Sequence, residues 1–251
     1  MPEAAIDVLF PLPAEEGIGD QRIADLYAAD AAATWLRVNF VSSIDGAATR
    51  QGLSGGLSDD ADRRVFEILR RLCDVVVVGA GTVRAEGYGA MRVDEVSQRA
   101  RREKGMTAHP VFAIVSASLD LDPASPIFRD APERPIIVTT QLSRADTREA
   151  LAEVADVVIC GEERVEPHRL VDVLVARGLN RIHCEGGPHL FGDLIAAGAV
   201  DELCVTIGAT LEAGVASRIS AGAAPILPVG MRLAHVLRSG DTLLLRYVRR
   251  G

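Results

Sequence analysis

Only four cysteines occur in 251 residues, and none stands in a Cys-x-x-Cys pair. Cys73, Cys160, Cys184 and Cys204 are scattered through apolar segments, which argues against a disulfide framework or a zinc site; buried thiols are expected. Positive charge is in deficit, with 27 Lys and Arg against 35 Asp and Glu for a net charge of −8. The basic footprint of non-specific nucleic-acid binding is therefore missing, and an anionic ligand must be held locally. No apolar run approaches the ~20 residues that span a bilayer, so no membrane association is expected. The amino terminus has neither a basic n-region nor a continuous apolar h-region, and the chain is expected to be cytoplasmic. Internal repeats and low-complexity tracts are absent too. What remains is an ordinary globular composition, 48% hydrophobic and 25% charged, long enough for one large α/β domain.

Residues 1–34 are rich in Ala, Asp and Glu with little periodicity, and read as an extension to a domain spanning 35–251. Eight β-branched-rich runs bounded by Gly, Pro or Asp then predict strands: 36–44, 75–78, 111–115, 136–139, 157–160, 181–184, 203–207 and 243–248. Four helical patterns alternate with them. The clearest covers 62–72, where Val65, Ile68, Leu69 and Leu72 share one face and Asp59 and Asp60 are ready N-caps. The others cover 143–154, 167–177 and 188–198, the third ending at Gly178 and the last opening on Pro188. Such alternation predicts an α/β fold of three layers. Its sheet should be mixed, mostly parallel and eight-stranded, the final two strands forming an antiparallel pair after a loop over 222–230.

Two glycine-rich turns stand at strand ends, where open α/β sheets bind ligands. In VVVVGAGTVRAEG, Gly79 and Gly81 follow four valines and Thr82 supplies a hydroxyl. A dinucleotide turn of the Gly-x-Gly-x-x-Gly kind is disfavoured, because Arg84 occupies the third glycine position. In HCEGGPHLFGDLI, Glu185 ends a strand, and Gly186 and Gly187 lead into the Pro188 helix, whose free N–H groups suit a pyrophosphate. A plain Gly-Gly turn reads the same way. A third segment, VNFVSSIDGAATRQGLSGG, puts Ser42, Ser43 and Asp45 at a strand exit, where Asp45 is either a turn former or a site residue. His183-Cys184-Glu185 imitates the His-x-Glu of zinc deaminases but lacks the matching Pro-Cys-x-x-Cys. No metal site is expected.

Taken together and in order, Ser43-Ile44-Asp45-Gly46, Gly79-Ala80-Gly81-Thr82-Val83 with Glu86, and Glu185-Gly186-Gly187-Pro188 followed by LIAAGAVDEL resemble the pyrimidine reductase family of riboflavin biosynthesis. The resemblance runs from about Trp35 to the end. It implies a dihydrofolate-reductase-like fold, a homodimer, and NADPH-dependent reduction of the ribosylamino group of a pyrimidine 5′-phosphate to the ribitylamino form. By matched position it implies cofactor contacts at Val41, Gly81, Thr82, Glu86, Ser116, Gly186, Gly187, Pro188, His189 and Leu190, the turn and helix start extending to Asp193. Substrate contacts fall on Asn39, Ser54, Arg70, Arg92 and Glu185, with Arg70 and Arg92 as a phosphate clamp. Asp45, Glu185 and Asn39 are the catalytic candidates. The chain departs from the bacterial bifunctional pattern in having Asn39 for Lys and Gly56 for a loop Trp, and no deaminase domain is expected before the reductase. Two other readings compete: dihydrofolate-reductase-type activity on a pterin, and a non-catalytic NADPH-binding regulator.

Overall fold

The computed structural model describes residues 4–29, 33–223 and 227–250. In chain order they form β1 (Asp7–Phe10), α1 (Asp20–Leu26), β2 (Trp35–Ser43), α2 (Asp60–Leu72), β3 (Val75–Gly79), α3 (Ala80–Glu86), α4 (Glu95–Glu103), β4 (Val111–Val115) and α5 (Pro126–Arg129). There follow β5 (Ile136–Thr139), α6 (Ala145–Ala152), β6 (Asp156–Ile159), α7 (Pro167–Val175), β7 (Arg181–Cys184), α8 (Pro188–Ala196), β8 (Glu202–Gly208), β9 (Met231–Ser239) and β10 (Thr242–Arg249).

All strands join one sheet in the order β1-β9-β10-β8-β2-β7-β3-β4-β5-β6. From β8 to β6 the neighbours run parallel, and β10 pairs antiparallel with both β8 and β9. The sheet is thus mixed and mostly parallel as expected, but it has ten strands rather than eight. The two additions are β1, only four residues long, and β9, whose buried positions pair His235 with Leu237 and so break the apolar signature of a strand.

Both faces of the sheet are covered, which is why β3 is four consecutive buried valines. Val75 and Val77 face a core closed by Leu170 and Leu174 of α7 and Phe191 and Leu194 of α8. Val76 and Val78 face the opposite core with Val83, Phe128 and Leu151 of α3, α5 and α6. Under the antiparallel end lies a third cluster, formed by α1 and α2 against Cys204, Leu237 and Leu244. Helix α2 starts where Asp59 accepts the Asp62 amide at 2.8 Å. Its carboxyl end is held by Arg101 of α4, a fully buried side chain that donates to the carbonyls of Arg70, Arg71 and Cys73.

The leader, expected as an extension, supplies β1 to the sheet edge and packs α1 on α2. Its attachment is electrostatic as well. Buried Glu202 accepts Arg37 Nε at 2.6 Å, Arg246 at 2.8 Å and the Trp35 indole N–H at 2.7 Å. The same two arginines donate to the carbonyls of Tyr27 and Leu26, capping the carboxyl end of α1. Among the described residues no helix is long and apolar enough to cross a membrane.

Candidate functional site

Strand β7 lies between β2 and β3, so the carboxyl ends of the three strands carrying the sequence motifs are neighbours. A cleft of about 570 Å³ opens there. Its lining includes Asn39, Val41, Ser54, Arg70, Gly81, Thr82, Glu86, Glu185, Gly187 and Pro188, ten of the residues singled out from the sequence.

The floor of the cleft is an ion-pair cluster. Glu185 accepts Arg70 Nε at 2.6 Å and a second Arg70 nitrogen at 2.8 Å, and the Tyr88 hydroxyl donates to it at 2.9 Å. The Arg70 guanidinium lies 4.3 Å from the Phe66 ring centroid and 5.8 Å from that of Tyr88. Burial pushes the Glu185 carboxyl up, but the Arg70 charge and hydrogen bonds, with His183 and Tyr88, more than offset it and leave the group ionised below the usual glutamate range. Burial and the adjacent Glu185 charge push the Tyr88 hydroxyl well above its ordinary value. Tyr88, Phe66 and Arg63 all line the cleft and were not singled out from the sequence. The single available signal was spacing: Arg63, Phe66 and Arg70 recur at i, i+3 and i+7 on α2.

The two glycine turns are stitched into one bracket. The Gly79 amide donates to the Gly186 carbonyl at 2.9 Å, and the Gly187 amide donates to the Thr82 hydroxyl at 3.1 Å. Gly186 has φ +98, and a Cβ there would stand 2.9 Å from the Phe40 ring, so only glycine serves. In α8 the first intrahelical bond runs from Phe191 to the Gly187 carbonyl. Pro188 has no N–H, so the amides of His189 and Leu190 are the free donors at this helix end. Gly186, His189 and Leu190 themselves lie outside the cleft lining.

Three further expected site residues are placed away from the cleft. Asp45 does not line the cleft: its carboxylate accepts the Ser43 hydroxyl and the amides of Glu212 and Ala213, which hold it at about 2. These bonds fasten the loop after β8 to the exit of β2. Arg92 is exposed and donates to the Asp130 carbonyl at 2.5 Å, so it does not pair with Arg70 as a clamp. Ser116 is buried and accepts the Leu119 amide at 3.0 Å, a local cap after β4 rather than a cleft residue. In each case a nearer backbone group satisfies the side chain, which sequence spacing does not reveal.

The loop after β8 completes the rim. Ser217 lines the cleft and its carbonyl accepts the Ala48 amide at 2.8 Å, while the Ala221 amide donates to the Pro188 carbonyl at 2.9 Å. A Cβ on Gly192 would fall 1.9 Å from the Ala221 carbonyl oxygen. Gly192→Ala is therefore expected to push this loop off α8 and cost about 1–3 kcal/mol, read as a lower midpoint in urea melts.

Residues 34–245 match the family described as RibD C-terminal domain. The chain is 28% identical over 176 residues to the 2,5-diamino-6-ribosylamino-4(3H)-pyrimidinone 5′-phosphate reductase of Archaeoglobus fulgidus, covering 69% of this chain and 80% of that one. It is 27% identical over 222 residues to the enzyme of the same name from Methanothermobacter thermautotrophicus, covering 86% and 99%. Among solved structures, a pyrimidine reductase-like protein from Corynebacterium diphtheriae superposes with a TM-score of 0.83 at 26% identity, covering 92% of this chain and 98% of that one. The yeast riboflavin biosynthesis reductase Rib7 shares the fold, with a TM-score of 0.68 at 17% identity over 91% and 98%. With its three-layer sheet, its glycine bracket and a match across most of its length, the chain belongs to the RibD C-terminal domain family.

Proposed function

We propose that the protein is an NADPH-dependent oxidoreductase of riboflavin biosynthesis that reduces the ribosylamino group of a pyrimidine 5′-phosphate to the ribitylamino form. The observation that carries this is the position of Glu185: a buried, ionised carboxylate at the cleft floor, one residue from the bracket that joins the two glycine turns. That arrangement offers a polar floor for a sugar and a cation-bearing wall on α2 for its phosphate. The relatives that carry the reductase name support the reading across the chain's length.

The residues present fit a dinucleotide. Gly81 lines the cleft with open space where a Cβ would stand. The free amides at the start of α8 suit a pyrophosphate, with Thr82 and Gly187 beside them. NADPH bound there would supply the hydride equivalent. The chain's own part is to align the acceptor carbon, hold its polar groups and exclude water. Asn39, whose carboxamide reaches the cleft without a hydrogen-bond partner among the described residues, is placed to donate or accept at the pyrimidine or sugar. The Arg70–Glu185–Tyr88 cluster keeps the floor rigid and polar.

We place the catalytic unit in residues 35–251, acting in the cytoplasm as a homodimer; sedimentation equilibrium tests the last point. The activity itself is tested by following NADPH absorbance with the ribosylamino pyrimidine 5′-phosphate, its unphosphorylated form and dihydrofolate. Oxidation with the first alone is expected. Turnover of dihydrofolate without the pyrimidine would assign the site to a pterin, and binding of NADPH with no oxidation would make the protein a regulator.

A further inference from the structure

Three carboxylates are buried among the described residues: Asp62, Glu185 and Glu202. Two of them have counter-ions, Glu185 in Arg70 and Glu202 in Arg37 and Arg246. Asp62, only 7% exposed, has none among the described residues, because its arginine neighbours on α2 turn elsewhere, Arg63 to Asp60 and Arg64 to Asp20. What it holds instead is hydroxyl groups. Ser58 Oγ donates to Oδ2 at 2.5 Å, and the Thr206 side chain of β8 supplies a second bond. A carboxylate offers about four acceptor positions, so about two are left over, and Asp62 lines the cleft. Burial pushes its carboxyl up and the nearby Asp59 charge adds to this, against the pull of the two hydroxyls and Arg63. The charged form is therefore short of donors, which a ligand in the cleft can bring.

Helix capping does not account for this carboxylate. Asp62 is the third residue of α2, but Asp59 is the cap, and among the described residues no bond runs from the Asp59 amide to the Asp62 side chain. Its position along the cleft is informative. Asp62, Phe66 and Arg70 line the cleft at i, i+4 and i+8 of the same helix, a row about 12 Å long at roughly 1.5 Å per residue. The row carries a carboxylate at one end, an aromatic ring in the middle and a guanidinium at the other end. A phosphate is repelled from the carboxylate end, so the heterocycle of a phosphorylated substrate falls there.

We propose that Asp62 reads the pyrimidine ring, accepting one hydrogen bond from a 2-amino group and one from N3–H. The inference rests on the reductase reading and deepens it by naming the kind of pyrimidine taken. A 2-amino-4(3H)-pyrimidinone presents these two donors side by side, matched to the two oxygens of a carboxylate. A uracil ring presents N3–H beside a 2-oxo group, and that oxygen would meet a carboxylate oxygen with no hydrogen between them. Asp62 thus selects the 2-amino ring and rejects the 2-oxo ring.

The test compares 2,5-diamino-6-ribosylamino-4(3H)-pyrimidinone 5′-phosphate with its 2-oxo counterpart, 5-amino-6-ribosylaminouracil 5′-phosphate, as acceptors in NADPH oxidation. The wild type is expected to favour the first by at least about 10-fold in kcat/KM, the scale of a charged acceptor that loses a donor. Asp62→Asn, whose amide can donate to a 2-oxo group, should erase or reverse the preference while KM for NADPH stays within twofold. A second measurement needs no variant: with the wild type, 2,5,6-triamino-4(3H)-pyrimidinone should inhibit at lower concentration than 5,6-diaminouracil. Equal kcat/KM for the two acceptors in the wild type, an unchanged ratio in Asp62→Asn, or equal inhibition by the two free bases overturns the inference while leaving the reductase reading intact. A wild-type protein that reduces neither acceptor removes both.

Discussion

Glu185→Ala is expected to lower kcat/KM for the pyrimidine phosphate by roughly 10²–10³-fold, the scale set by loss of a positioned polar group at a reacting centre. It should also destabilise the fold, because Arg70 would keep its charge in a site where only 15% of its side chain is exposed. Breaking one half of a buried ion pair costs about 3–5 kcal/mol. Glu185→Gln separates the two effects. An amide of the same shape still accepts one Arg70 hydrogen bond, so the melt should recover most of its midpoint while the activity stays low. Steady-state rates and urea melts on both variants decide the matter, and a Gln variant with wild-type kcat/KM would show that the charge at this position is structural only.

The second large effect belongs to Glu202 and is a dependence on pH. Burial pushes this carboxyl up, yet Arg37 and Arg246 outweigh burial and bring it from the ordinary 4.5 to about 2. A carboxyl whose folded value is depressed stabilises the fold above its unfolded value, and that increment is lost as pH falls through the folded one. The window is therefore about pH 4.5 down to 2, and a drop of this size corresponds to about 3 kcal/mol. Glu202→Gln should be less stable than wild type at pH 7 by a few kcal/mol. The gap should close as the pH is lowered through that window. Urea melts of the two proteins at pH 7, 5, 4 and 3 measure it; a gap that stays constant with pH would mean that Glu202 contributes packing and not charge.

The parallel half of the fold was legible because its central strands are buried on both faces and so announce themselves as unbroken apolar runs, as in Val75–Val78. Helix α2 was legible from its stripe and its Asp59 cap. Two of the elements that escaped hold their place by polar means. Helix α4 buries Ser97 and Arg101 where an apolar stripe would be read, and β9 buries His235. At the site, the motif residues at strand ends were found because backbone topology alone brings β2, β7 and β3 together. Side chains were harder to place. Asp45, Arg92 and Ser116 turn to backbone groups within reach. Tyr88 sits in a loop with no periodic signal, and its meeting with Glu185 spans 97 residues.

The bracket between the two glycine turns has a consequence for how such a protein can change. The Gly186 carbonyl and the Gly187 amide are each tied to the β3 turn, and Glu185 is one peptide away from both. A substitution that resizes the seat proposed for the dinucleotide would drag the floor carboxylate with it, so the two tasks would not be separately adjustable from this side. New acceptor molecules are more readily admitted from the opposite wall, where Arg63 and Phe66 project from a helix that can trade side chains without moving its backbone.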